Sequence, residues 1–283
     1  MENIEKLHQA LESADYVLIG AGAGLSAAAG LSFADEKAFK RDYPALWAQG
    51  VHSDYQTFSY KGWLEGQRWG YLARHIKTML IDMPPLALYG ELLHLLEGKN
   101  YHVITSNVDE QFIKAGFPRE RIFEAQGSYG PLLCTDECTK DTYPIEDWVE
   151  AVLPFVDESC CLAPAHWPHC PRCGAPLTMA FRDTQAHEAQ EARYRAFLKE
   201  SEMGKTCIVE FGVGFNSAGV IRVPFERIVG ERDKDKVDFF RVTVDYPDSE
   251  EEIAYPEIPV PIADKSTSIN MDAKAVIEKL LEK

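Results

Sequence analysis

The segment GAGAGLSAAAG, residues 20–30, follows directly on the apolar run YVLI at 16–19 and constrains the chain more than any other stretch. An apolar run that ends in glycines and passes into small helix-forming residues reads as a strand, a tight turn and the start of a helix. Glycine admits positive φ and lets a phosphate approach backbone N–H groups, while the helix start offers a partial positive charge. Gly22, Gly24 and Gly30 are placed for that role. A turn that only packs a helix closely on a strand has the same composition. The strict G-x-G-x-x-G fingerprint is absent, and no acidic residue ends a second strand about 20 residues on.

Further strand-like runs lie at 101–105 (YHVIT), 121–123 (RIF), 207–211 (CIVEF) and 239–245 (FFRVTVD), and helical spacing recurs at 86–96, 185–202 and 273–283. The alternation predicts an α/β fold with a Rossmann-like, mostly parallel sheet and helices on both faces. Residues 131–183 break the pattern: they hold six of the seven cysteines and several prolines. They are expected to form a small inserted module, with 1–130 and 184–283 making the Rossmann-like domain. The aromatic-rich stretch 31–75 reads either as a lid or as a satellite core, and the acidic stretch 245–264 as an extended surface loop.

With 45 acidic against 29 basic residues the net charge is −16, which disfavours nucleic acid and anionic membrane surfaces as partners. No apolar stretch approaches the roughly 20 residues that span a bilayer, and the N-terminus reads as a polar amphipathic helix without a signal-peptide core. The expectation is a soluble, cytoplasmic protein with reduced thiols.

Cys134-x-x-x-Cys138 and Cys170-Pro-Arg-Cys173-Gly then read as two ligand pairs of a four-sulfur zinc site. Such a site is structural, because four thiolates leave no open position. Cys160, Cys161, His166 and His169 lie near enough in sequence to compete. Two further clusters end strands: TSNVDEQF (105–112) and FEAQGSYG (123–130). Asn107 and Asp109 point to the ligand crevice expected at the C-terminal ends of parallel strands. Asp109 is equally suited to cap the helix that follows, and Asn107 to a simple turn.

Taken in order, these motifs resemble the sirtuin family of NAD-consuming enzymes. Gly22-Ala23-Gly24-Leu25-Ser26 with Gly30 is similar to the family's GAG-x-S…G turn, Thr105-Ser106-Asn107-Val108-Asp109 to its T-Q-N-x-D, and Glu124-Ala125-Gln126-Gly127-Ser128 to its catalytic E-x-H-G. There are three departures. The family's I-P-D-F-R reads Leu31-Ser32-Phe33-Ala34-Asp35, its histidine is Gln126, and its G-T-S turn is Gly212-Val213-Gly214-Phe215-Asn216-Ser217. An amide cannot take the ribose proton that the histidine removes in deacylation, but it can hydrogen-bond a ribose hydroxyl.

That combination resembles the macrodomain-linked microbial sirtuins. The resemblance implies mono-ADP-ribosylation of a lipoyl-carrying, glycine-cleavage H-like protein, with a macrodomain hydrolase removing the mark. It further implies that Gly22, Ala23, Gly24, Ser26, Asn216 and Ser217 hold the phosphates and adenosine ribose of NAD, with Phe33, Gly212 and Gly214 also at the cofactor. Asn107 and Gln126 would position the nicotinamide ribose, and Asp109 would receive the nicotinamide amide. Arg182 falls where the family has a substrate-contacting strand, although a surface arginine paired with an acidic neighbour fits it equally. The alternatives are a lysine deacylase, an NAD glycohydrolase and a silent NAD or ADP-ribose sensor.

Overall fold

The structure is a computed structural model, and it describes residues 2–180, 182, 184–214, 217–244 and 258–283. The chain divides into two units: Met1–Leu31 with Pro85–Gln126 and Gln185–Lys283, and Ser32–Pro84 with Gly127–Thr184. The second unit is larger than the 131–183 insertion read from sequence, because residues 32–84 group with the cysteine segment.

Among the described residues the strands are β1 (Tyr16–Ala21), β2 (Tyr101–Thr105), β3 (Ile122–Glu124), β4 (Pro131–Cys134), β5 (Tyr143–Pro144), β6 (Leu177–Met179), β7 (Thr206–Phe211), β8 (Val237–Thr243) and β9 (Ser266–Asn270). The first unit carries a six-stranded sheet in the order β3-β2-β1-β7-β8-β9, and every pairing in it is parallel. That is the doubly wound order, and it reverses between β1 and β7.

Alternate residues of each buried strand face opposite layers. Val17, Ile19 and Ala21 join Val209, Phe211 and Val242 in a core covered by the helices Glu2–Ser13, Ala87–Leu95 and Ala273–Leu281. Leu18, Ile208 and Phe239 face the other way, onto Tyr194 and Phe197 of the helix Gln185–Glu200 and Phe225 of the helix Arg222–Glu231. No helix among the described residues is long and apolar enough to cross a membrane.

The second unit has a three-stranded antiparallel sheet in the order β5-β4-β6. The aromatic stretch supplies core to this unit: Phe39, Tyr43, Trp69 and Tyr71 are buried, and Trp69 meets Trp148 of the helix Ile145–Val152 edge to face. Of the stretch read as an extended acidic loop, residues 245–257 lie outside the described residues. Its remainder includes the 3₁₀ turn Val260–Lys265, which leads into β9.

Candidate active site

The reversal point of the sheet is where the two glycine turns meet. Gly22 and Gly24 follow β1, Gly212 follows β7, and the Gly24 N–H donates to the Gly212 carbonyl at 2.9 Å. A Cβ on Gly24 would stand 2.6 Å from the Gly212 Cα, and one on Gly212 only 2.5 Å from the Gly24 backbone. Gly212 also has φ +55°. The glycines therefore serve first to let two backbones touch, a packing role the sequence left open. Ala23, the first residue of the helix Ala23–Ala28, keeps a backbone N–H with no partner among the described residues. Gly30 has another function: at φ +95° it ends that helix, with its own N–H on the Ala27 carbonyl and the Leu31 N–H on the Ser26 carbonyl.

Gly212→Ala combines left-handed strain with a backbone collision, for an expected loss of about 2–5 kcal/mol. Thermal melting should fall on the order of 10 °C. A variant melting with the parent would show that the turns separate freely.

Behind the turn lies a buried polar network. The Ser26 hydroxyl donates to Asp109 Oδ2 at 2.6 Å and shares a 2.7 Å hydrogen bond with the Tyr89 hydroxyl. The Asn107 amide donates to the Gly22 carbonyl at 3.1 Å and to Ser26 Oγ at 3.0 Å, so its two protons fix it beneath the glycine turn. Its Oδ1 takes no hydrogen bond among the described residues. Asp109 Oδ1 accepts from the Gln111 N–H at 3.1 Å, but the N-cap of the helix Gln111–Lys114 is Glu110, so Asp109 touches the helix start from one residue before the cap rather than as the N-cap itself. Burial pushes the Asp109 carboxyl up, against the lowering hydrogen bonds from Ser26 and Gln111. Tyr89 was missed from sequence because it sits in an apolar helical pattern; the signal was that a buried tyrosine hydroxyl requires a partner.

Gln126 follows β3, half-buried, and its amide takes no hydrogen bond among the described residues. Two residues earlier Glu124 is buried and clamped by Gln190: the Glu124 N–H donates to Gln190 Oε1 at 2.9 Å, and Gln190 Nε2 donates to Glu124 Oε2 at 3.0 Å. Burial pushes the Glu124 carboxyl up to about 7, and Glu110 and Asp109 add to the rise.

A carboxyl raised in the folded state favours the protonated native form, so stability falls as pH rises from about 4.5 to 7. The full penalty, about 3 kcal/mol, is present above that window. Glu124→Gln should therefore match the parent at pH 5 and exceed it at pH 8 in urea midpoint. His102, whose burial lowers its pKa to about 4, adds an opposite slope below about 6.5 that is common to both proteins. Equal differences at both pH values would remove Glu124 as the titrating group.

The other expected site residues are dispersed. Ser217 is buried and its N–H donates to the Gly214 carbonyl at 3.1 Å, and a Cβ at Gly214 would meet no described atom within 4 Å. Asn216 lies outside the described residues. In the second unit Phe33 is buried with its ring 5.9 Å from His75, and Arg182 is exposed without an ion pair to a described residue. Asp183, the acidic neighbour of Arg182 in sequence, lies outside the described residues.

Cys134, Cys138, Cys170 and Cys173 present four sulfurs all within 4.8 Å of one another, with Cys134–Cys173 and Cys138–Cys170 at 3.5 Å. Sulfurs about 2.3 Å from a tetrahedral zinc lie about 3.8 Å apart, so the set fits zinc. The thiols titrate as a set: against desolvation, N–H groups of Cys173 and Arg172 with the Tyr143 and Cys138 side chains bring Cys170 down to about 6, while sharing a proton with the Cys173 sulfur pushes Cys138 up. Cys160, Cys161, His166 and His169 do not join the cluster.

A protein ADP-ribosyltransferase of Staphylococcus aureus is 32% identical over 236 residues, covering 79% of this chain and 73% of that protein. The chain belongs to the sirtuin-type protein ADP-ribosyltransferases. A probable bifunctional ADP-ribose hydrolase/ADP-ribosyltransferase of Fusarium oxysporum f. sp. cubense is 34% identical over the same share of this chain, which spans only 39% of its length. An NAD-dependent protein deacylase of Pseudomonas aeruginosa is 27% identical, covering 69% of this chain and 72% of that protein. Among solved structures, a mutant Sir2 homologue with ADP-ribose superposes with a TM-score of 0.59 at 19% identity, over 98% of this chain and 95% of that one, and establishes the sirtuin fold. No protein-family model matches the chain.

Proposed function

We propose that this protein takes NAD as ADP-ribose donor, releases nicotinamide, and modifies a lipoyl-carrying, glycine-cleavage H-like protein, with a macrodomain hydrolase reversing the modification. The observation that carries the reading is Gln126: a free amide stands where a deacylase of this family uses histidine. The bond from C1′ to nicotinamide breaks with its electron pair leaving on nicotinamide, a step that asks for charge stabilisation and orientation rather than a strong base. A protein nucleophile then bonds to C1′ and gives up its proton.

In this account Gly22, Ala23, Gly24, Gly212, Gly214, Asn216 and Ser217 approach the phosphates and adenosine ribose, and Phe33 packs at the cofactor. Ser26 acts through its hydrogen bonds to Asp109 and Asn107, since its hydroxyl is already engaged. The open Oδ1 of Asn107 and the amide of Gln126 orient the nicotinamide ribose, and Asp109 meets the nicotinamide amide. Arg182, exposed and cationic, suits an anionic group on the acceptor. The pairing of hydrolase and transferase in the name of the Fusarium relative supports reversal by a hydrolase.

Intact-mass analysis of a lipoylated carrier protein after incubation with NAD tests the proposal. An added ADP-ribose on the carrier supports it. Nicotinamide release with only free ADP-ribose would replace it with a glycohydrolase, and no release at all with a sensor.

A further inference from the structure

An ionic quartet with a buried centre lies beside Gly212, on the face of β7 and β8 covered by the helix Arg222–Glu231. Glu210 and Arg241 are each 1% exposed at the side chain. Arg222 Nη2 meets Glu210 Oε1 at 2.9 Å, Arg241 Nε meets the same oxygen at 3.1 Å, and Arg241 Nη2 reaches Glu226 Oε1 at 2.7 Å. The two cations balance the two anions, as a buried set requires. Arg222 also reaches beyond the quartet: its Nη2 donates to the Val213 carbonyl at 2.7 Å.

That carbonyl belongs to the same peptide unit as the N–H of Gly214. The chain has no cis peptide bond among the described residues, so the unit is planar and trans, with its C=O and N–H pointing in opposite directions. Holding the carbonyl on Arg222 therefore aims the Gly214 N–H away from the quartet. That N–H has no partner among the described residues, and a Cβ at Gly214 would meet none of their atoms within 4 Å. The Gly214 N–H is thus an oriented backbone donor without a partner among the described residues, beside the point where the sheet order reverses.

We infer that Arg222 is a positioning residue for the dinucleotide: clamped by Glu210, it holds the Val213 carbonyl so that the Gly214 N–H faces the diphosphate or ribose of NAD. This rests on the reading that the protein binds NAD. Glu210 keeps the guanidinium from turning away, and Arg241 keeps Glu210 neutralised when Arg222 is changed. The arrangement stores no strain; it removes rotational freedom from one peptide plane before the ligand arrives.

The test is steady-state nicotinamide release as a function of NAD concentration, with melting temperatures recorded in parallel. Arg222→Gln should raise KM for NAD about tenfold, the worth of one well-placed hydrogen bond, while kcat changes less than about twofold. Arg222→Lys, which keeps a cation beside Glu210 but cannot span to Val213 with the same fork, should fall between. Glu226→Gln loosens the far side of the quartet and should leave KM unchanged. The inference is overturned if both Arg222 variants fold and keep the parent KM, if kcat falls while KM holds, or if Glu226→Gln raises KM as much. Should Arg222→Gln fail to fold, the lysine variant decides alone by its KM. A parent protein that neither binds NAD nor releases nicotinamide would overturn the underlying reading, and this inference with it.

Discussion

Replacing Cys173 with alanine is expected to cut bound zinc from one per chain to near none, with loss of order in β4, β6 and the turns between them. The four cysteines lie on two turns far apart in sequence, and little else joins them: β6 is three residues long, and of its residues only Leu177 is buried. A module of this size draws its stability from the metal, with an apparent binding energy of about 10–16 kcal/mol in small zinc modules. The parallel sheet of the first unit has its own two-faced core and should persist, as should the aromatic cluster around Tyr43 and Tyr71. Elemental analysis gives the stoichiometry, and hydrogen exchange resolved by peptide shows where protection is lost. Zinc retained by the variant, or absent from carefully prepared parent protein, would contradict the assignment of the four ligands.

Asn107→Ala should lower ADP-ribose transfer about 10²-fold or more, because misplacement of a reacting group by about 1 Å costs that much. Affinity for NAD should fall far less, since the turn residues that approach the phosphates remain. The alanine also removes the donors to Gly22 and Ser26, so a second variant separates orientation from loosening. Asn107→Asp keeps the shape and an oxygen at the Oδ1 position, but it sets a negative charge beside the buried Asp109 and cannot donate to the Gly22 carbonyl. It should lose transfer as well, with a pH dependence that improves in acid as the new carboxyl protonates. Single-turnover nicotinamide release together with a direct NAD binding measurement distinguishes the cases. Transfer at the parent rate in the alanine variant would return Asn107 to a turn residue.

The sheet was legible because buried parallel strands are written as short apolar runs. YHVIT became β2 without a shift, β1 ran two residues further into the glycine turn, and β7 began one residue earlier, at Thr206. β9 went unread because its sequence, STSIN, buries only Ile269 and resembles a loop. The Arg222–Glu231 helix went unread too, since it starts in RVPFER, where a proline and charges mask the apolar positions Phe225 and Val229. Spacing put Cys134, Cys138, Cys170 and Cys173 forward as the metal-binding set, with Cys160, Cys161, His166 and His169 as competitors, and the structure brings the first four sulfurs together. What spacing could not convey was the joining of residues 32–84 to the cysteine segment, which depends on contacts such as Trp69 with Trp148. The site was half legible: Asn107, Asp109 and Ser26 meet in one network, but Tyr89, Glu124 and Arg222 lie in patterns that look like ordinary helix or strand. Gly22 and Gly24 read as phosphate contacts, and the structure adds that their first neighbour is the backbone of Gly212.

The substitution of histidine by Gln126 carries the functional account, and one comparison tests it directly. The purified protein is incubated at one NAD concentration with either a lipoylated carrier protein or an acetyl-lysine peptide, and ADP-ribose on the carrier and loss of acetyl from the peptide are quantified per nicotinamide released. Because an amide can orient a ribose hydroxyl but cannot accept its proton, most of the nicotinamide released with the carrier should be matched by ADP-ribose on it, with little or no deacetylation of the peptide. Efficient deacetylation by the unmodified protein, with no labelling of the carrier, would contradict the account.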